Sequence, residues 1–283
     1  MGWLVSRPTG ARLRIGAVLI AAGSVGGIAL GVCTALSLSP CSGSAQAAGA
    51  PVSAVRVVAR FPHDPNAFTQ GLVIAEGELY EGTGRYGESS LRRVSLETGR
   101  VLERVALPDR WFGEGITDWQ GEIVQLTWRA GVGLRYDRLS LEPRGQFSVE
   151  GEGWGLTQDG RHWIMSDGSA DLRFLDPADG REVRRLRVMD GDKPIRRLNE
   201  LEYLHNEVWA NLWYRDVLVR IDPSDGHVLG YIDLSDLWPA GQPRRSEQVL
   251  NGIAFDSGSG QLFVTGKCWP WLYEVEVVDG LAD

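Results

Sequence analysis

Cysteine is almost missing from this chain. Of the three present, Cys33 and Cys41 lie near the N-terminus, which leaves Cys268 alone in the remainder. One cysteine excludes an internal disulfide, so packing and strand pairing must hold the fold. Cys268 has no histidine near it in sequence, and a buried, inert thiol is the ordinary state of such a residue. Histidine is scarce too. His63, His162, His205 and His227 are scattered at no ligand spacing, which argues against a protein-ligated zinc. There is no GxSxG elbow, no P-loop and no dinucleotide fingerprint in a βαβ setting. The glycine-rich GEGWG at 151–155 lies between strand-like runs and is a weak phosphate signal. Basic charge is also short. Lys and Arg total 29 against 37 Asp and Glu; setting aside Arg7, Arg12 and Arg14 leaves 26 against 37, a net charge near −11. Such a balance disfavours nucleic acid as a partner. No sustained 3.6-residue period runs beyond residue 48, which excludes helical solenoids.

The first 48 residues form a separate object. Three arginines precede an apolar run from Ile15 to Leu38, and SAQAAGA then offers an Ala-x-Ala site at Ala45 and Ala47. This is the pattern of a secretory signal. The run is also long enough to span a bilayer, so an uncleaved N-terminal anchor stays open. Pro40 and Val32 before the two cysteines make poor lipidation sites. The expected organisation is a signal peptide or anchor over 1–48 and a single domain over 49–283. The expected location is the periplasm or the exterior, with an inner-membrane anchor as the variant.

What is abundant is repetition. Five short clusters recur: FTQGL (68–72), FGEGI (112–116), EGWGL (152–156), LNELE (198–202) and LNGIA (250–254). Taking Gln70, Glu114, Trp154, Glu200 and Gly252 as their centres gives spacings of 44, 40, 46 and 52 residues. Periods of this size suggest propeller blades. Each cluster is followed by a strand-like run, GELYEGTG, GEIVQLTW, GRHWIMSD, NEVWANLW or GQLFVTGK. In the first four units two further alternating runs flank a turn such as DPADG or DPSDG. That makes four strands per unit, the content of one blade. The fifth unit ends after WLYEVEVV, one strand short, while AVRVVARF (54–61) is a strand with no cluster before it. The pattern predicts an all-β, five-bladed β-propeller whose ring is closed by the N-terminal strand completing the last blade, which protects the sheet edges.

The chain has 11 tryptophans. Trp128, Trp163, Trp209, Trp213, Trp269 and Trp271 fall in or just after the second runs, and Trp154 lies inside a cluster. Individually they suit packing between blades; as a group they suit an aromatic-walled pocket at one mouth of the central channel. Glu114, between two glycines and beside Phe112, is a candidate proton carrier, because burial among aromatics raises a carboxyl pKa. It equally suits a structural turn cap. Glu200 is taken to hold the matching position, with Glu202 two residues on. Gln70, Asn199 and Asn251 offer paired amide donors and acceptors, for a ligand or for backbone between blades. Lys267 ends the TGK run beside Trp269, where solvation is the ordinary fate.

FPHDPNAFTQGL, LPDRWFGEGIT, EGWGLT, LNELEYLHNEVWANLW and TGKCWPWLYEV together resemble the glutamine cyclotransferase family, in order and over Val55 to Val277. The resemblance implies a five-bladed propeller that converts N-terminal glutamine of peptides or proteins to pyroglutamate and releases ammonia. It assigns the proton shuttle to Glu114. It implies a substrate pocket of Phe68, Gln70, Phe112, Trp128, Trp154, Asn199, Trp213 and Lys267. No cofactor and no metal are expected from the scattered histidines and lone cysteine, and the expected state is a monomer with no nucleic-acid partner that meets a membrane only through an uncleaved leader. Two rivals stay open: a binding module for peptide or sugar, and a metal-dependent propeller lactonase using Glu114, Glu200, Asn199 and Asn251.

Overall fold

The computed structural model describes residues 49–278. The expected leader, its cleavage site, Cys33 and Cys41 lie outside the described residues. Among those described, no helix is long and apolar enough to cross a membrane.

Alternating apolar residues and Gly, Asp and Asn turns build strands throughout, with one 3-10 turn at Ser235–Leu237. After β1 (Val52–Pro62) come four strands of a first sheet, β2 (Thr69–Ala75), β3 (Glu78–Thr83), β4 (Ser90–Val94) and β5 (Val101–Ala106). A second sheet holds β6 (Gly113–Trp119), β7 (Glu122–Thr127), β8 (Val132–Asp137) and β9 (Pro143–Ser148). The third has β10 (Leu156–Gln158), β11 (Trp163–Met165), β12 (Asp171–Leu175) and β13 (Glu182–Arg187). A small hairpin, β14 (Met189–Asp190) and β15 (Lys193–Pro194), interrupts the series. Then follow β16 (Leu198–Leu204), β17 (Glu207–Leu212), β18 (Val217–Ile221) and β19 (Val228–Asp233), and finally β20 (Leu250–Asp256), β21 (Gln261–Gly266) and β22 (Trp271–Val278).

The last two groups belong to one eight-stranded sheet, in the order β16-β17-β18-β19-β1-β22-β21-β20. Its centre is β1, which pairs antiparallel with β22 from Ala54 opposite Val278 to Pro62 opposite Trp271. Only Val52 and Ser53 reach β19, in a short parallel contact. The N-terminal strand therefore supplies the fourth strand of the last unit, as the sequence pattern predicts.

Burial falls along each unit. Strands β2 and β3 are buried almost throughout, β5 alternates between half-buried and exposed, and β9 is exposed along most of its length. The apolar clusters lie between neighbouring four-strand units rather than within them. Tyr80 and Leu91 meet Ile123 and Tyr136, and Val124 and Leu126 meet Trp163 and Met165. Ile164 and Phe174 meet Leu201 and Val219, Trp209 and Ile232 meet Ile253 and Val264, and Leu72 and Leu79 meet Ala254 and Phe263. The first strands touch in the same cyclic order, β2 to β6, β10, β16, β20 and back to β2. One end of that ring of first strands carries the residues singled out above.

Candidate active site

The register at the start of each first strand decides which side chains share a position. Thr69 pairs with Thr83, Gly113 with Thr127, Leu198 with Leu212 and Leu250 with Gly266, and each ladder is broken by a bulge directly afterwards. The residue after each paired one is Gln70, Glu114, Asn199 or Asn251, and the shorter β10 puts Trp154 in the same column. Glu200 and Gly252 do not belong there. They stand one step further on with Gly71, Gly115 and Gly155, because the bulge, not the centre of the cluster, sets the alignment. In that neighbouring column the backbones nearly touch: a Cβ on Gly115 would lie 2.6 Å from the Trp154 carbonyl oxygen, and one on Gly155 2.0 Å from that of Asn199. Glycine is required where strands approach this closely.

Glu200 has a different task from the one its cluster suggested. It is fully buried, its Oε1 accepts from Leu72 N at 3.3 Å and its Oε2 from Ile253 N at 2.8 Å. Burial, reinforced by Glu202, raises its pKa well above the usual carboxylate range. Both oxygens tie backbone of β2 and β20 together, so Glu200 is a structural plug. Of the four donors of the lactonase reading, Glu200 is committed to two backbone N–H groups, and among the described residues no group of three His, Cys, Asp or Glu could hold a metal.

All nine residues named for the site line one cavity of about 270 Å³. This is at the small end of ligand sites, which run to about 1,000 Å³, and suits one amino-acid residue. Gln70, Glu114, Asn199 and Trp154 come from the first-strand column. The residue directly after the second strand supplies Trp128, Trp213 and Lys267 in units two, four and five. Phe68 and Phe112 stand two residues before Gln70 and Glu114. The walls form two aromatic arcs: Phe68, Phe112 and Trp128, with ring centroids 6.1 and 5.7 Å apart, and Trp154, Trp213 and Tyr214, at 5.2 and 4.5 Å.

Glu114 is buried, and burial pushes its pKa well above the carboxylate range; Lys267 pulls the other way, Glu152 adds to the rise, and a hydrogen bond from Gln70 lowers it. Lys267 is buried as well. Burial pushes it down to about 8 against the attraction of Glu114, and its Nζ lies 4.9 Å from the Phe68 ring centroid. Lys267 is thus not the solvated strand-end lysine that its sequence position alone suggested. The amides are chained: Asn199 Nδ2 donates to Asn251 Oδ1 at 2.8 Å, and Asn251 Nδ2 donates to the Thr69 carbonyl at 3.0 Å. Asn251 orients Asn199 from behind the cavity.

Four of the tryptophans are not pocket walls. Trp163, Trp209 and Trp269 are in the inter-sheet cores, and Trp271 lies beneath Arg60 on the outer strands. Conversely, Tyr214, Ser246, Glu247 and Val249 line the cavity without having been singled out. Tyr214 directly follows Trp213 and could have been found from that neighbour. The other three come from the irregular segment between β19 and β20, which has no counterpart in the repeat. Two of the lining residues share Arg85, which bonds Glu247 at 2.9 Å and stacks 4.7 Å from the Phe68 ring.

A family model described as glutamine cyclotransferase matches residues 30–277. The chain belongs to the glutamine cyclotransferase family. It is 43% identical over 230 residues to the glutaminyl-peptide cyclotransferase of Arabidopsis thaliana, a match covering 80% of this chain and 72% of the plant protein. Among solved structures it resembles the glutaminyl cyclase of Myxococcus xanthus, with a TM-score of 0.76 and 35% identity over 81% of this chain and 98% of that one.

Proposed function

We propose that this cyclotransferase-family chain cyclises the N-terminal glutamine of peptides or proteins to pyroglutamate, with Glu114 carrying the proton, on a scaffold that is a five-bladed propeller. The cyclic order of the first strands and of the inter-sheet cores supports the five-blade reading. The observation that carries the chemistry is the juxtaposition of a buried carboxyl, a buried lysine and two amides, Gln70 and Asn199, in one small aromatic cavity.

The substrate brings both nucleophile and electrophile. Its α-amine attacks its own γ-amide carbon, so the site chiefly has to hold the folded conformer, which an aromatic cavity of one-residue size does. A free α-amine has a pKa of about 7.7–8.0, so roughly a tenth of it is already unprotonated at neutrality. As the new C–N bond forms, the amine nitrogen loses a proton to the Glu114 carboxylate. Glu114 then returns that proton to the amide nitrogen, the old C–N bond breaks and ammonia leaves. A carboxyl raised toward neutrality suits a group that must both accept and donate. The Lys267 ammonium stabilises negative charge on the amide oxygen, with the Gln70 amide beside it. Asn199, oriented by Asn251, offers its carbonyl oxygen to the α-amine.

The test is ammonia release from Gln-initiated dipeptides by the purified protein. Gln followed by varied second residues is expected to react, while Nα-acetylated peptides, having no nucleophile, are not. Tight binding of the same peptides or of a sugar without ammonia release would replace the enzyme with a binding module. A peripheral expectation belongs with this reading: the leader directs the chain to the periplasm or exterior, where it acts as a monomer.

A further inference from the structure

Glu152 lies outside the cavity lining, yet it joins the two aromatic arcs. It occupies the column that holds Phe68 and Phe112 in the first two units, three residues before the axial glycine. Its Oε2 alone accepts from two indoles, Trp128 Nε1 at 2.8 Å and Trp154 Nε1 at 3.0 Å. Those tryptophans come from different units, one after β7 and the other before β10. The second oxygen, Oε1, accepts from Arg129 Nε at 2.8 Å, and the Arg129 guanidinium lies 3.8 Å over the Trp128 ring. Trp128 is therefore held at its nitrogen by Glu152 and on its face by Arg129. Without Glu152 the two indole N–H groups lose their shared acceptor, which leaves the rings to their face and edge contacts alone.

We propose that Glu152 is the positioning residue of this pocket, clamping Trp128 and Trp154 through one carboxylate oxygen and placing a fixed negative charge behind the catalytic carboxyl. The proposal rests on the cyclotransferase reading. Arg129 and the two indoles keep Glu152 ionised despite partial burial, and its charge in turn holds Glu114 up; Lys267 is the other charge facing Glu114, and Gln70 its hydrogen-bond partner. An uncharged side chain with an oxygen acceptor would reproduce the clamp but not the charge.

Two variants separate these roles. Glu152→Ala removes the acceptor, and kcat/KM for a Gln-initiated dipeptide is expected to fall about 10- to 100-fold through loosened walls, with little change in Tm. Glu152→Gln keeps an oxygen acceptor without the charge. It should restore plateau kcat/KM to within about threefold of the parent, while the acid limb of its pH profile moves to lower pH, because Glu114 has lost a neighbouring negative charge. Dipeptide affinity, read by tryptophan fluorescence, should weaken about tenfold in Glu152→Ala only. That titration needs no turnover, so a parent protein that binds but releases no ammonia would sink the functional reading alone. Parent-like kcat/KM and affinity in Glu152→Ala would overturn the clamp. An unmoved acid limb in Glu152→Gln would overturn the electrostatic role and leave Glu152 as a surface partner of Arg129.

Discussion

Glu114 and Glu200 are both buried carboxyls in the ring of first strands, and burial raises both well above the ordinary range. Their partners differ completely. Glu200 has a backbone N–H on each oxygen, contributed by two different strands, and is not among the residues that line the cavity. Glu114 has the Gln70 amide, a buried lysine and an open cavity. A raised pKa alone does not mark a catalytic acid; what marks it is a carboxyl whose hydrogen-bonding capacity is left for something that comes and goes. The two residues also show how a one-residue bulge converts a position that points into the pocket into one that stitches the axis.

The largest expected effect sharpens this contrast. Glu114→Gln should lower kcat by roughly 10² to 10⁴ with Tm nearly unchanged, since the amide keeps the shape and loses only the exchangeable proton. Glu200→Ala should do the reverse. It strips two buried N–H groups of their acceptors, at about 1–3 kcal/mol each, so Tm falls while the folded fraction retains its kcat. Urea unfolding and initial rates of ammonia release read both. A Glu200→Ala protein that folded as well as the parent but was inactive would exchange the two roles.

Next in size is the same contrast among tryptophans. Trp213→Ala removes a cavity wall and should lower kcat/KM by more than it lowers stability. Trp209→Ala removes a core side chain whose Nε1 donates to Glu207, and should cost about 3–5 kcal/mol with a smaller effect on kcat/KM per folded molecule. Matched stability and rate losses in both variants would erase the distinction between wall and core.

The smallest effect concerns the segment that carries Phe68. His63 donates from Nδ1 to the Trp269 carbonyl at 2.7 Å and from Nε2 to Glu81 at 3.1 Å, an arrangement that requires the imidazolium. Burial alone would lower its pKa, but the Glu81 carboxylate outweighs burial and raises it; burial likewise opposes the ionised Glu81, and His63 prevails in lowering that pKa. The His63 contribution is complete below the unfolded value near 6.5 and is lost as pH rises through the higher folded value. The Glu81 contribution is lost only in acid, as pH falls through its lowered folded pKa. Tm of the parent should therefore decline above neutrality more than that of His63→Gln. Parallel curves for the two would mean that His63 is neutral in the folded protein.

Much of this was legible in the sequence because it repeats. Four runs per unit, the orphan strand at 54–61 and the cavity residues after the second runs all follow from alignment of the repeats, and the family motifs located Glu114 and Lys267. The offset of Glu200 was not legible, since LNELE looks centred on its glutamate until the bulge after Leu198 is known. Trp163 and Trp209 could not be told from Trp128 and Trp213 because all lie at nearly the same distance along their units. The difference is whether the residue falls inside the second strand, where it enters a core, or just past its end, where it reaches the cavity. Ser246, Glu247 and Val249 sit in a segment whose path depends on packing against β20 and β21 and leaves no periodic trace.

The most direct test of Glu114 as proton carrier is kcat for ammonia release at saturating dipeptide, measured against pH, which reports groups in the bound complex and not the free substrate amine. The parent should show an acid limb above the usual carboxylate range, because Glu114 must ionise before it can accept the amine proton. The residual activity of Glu114→Gln should lack that limb. The same limb in both proteins would contradict the account and place the titrating group elsewhere.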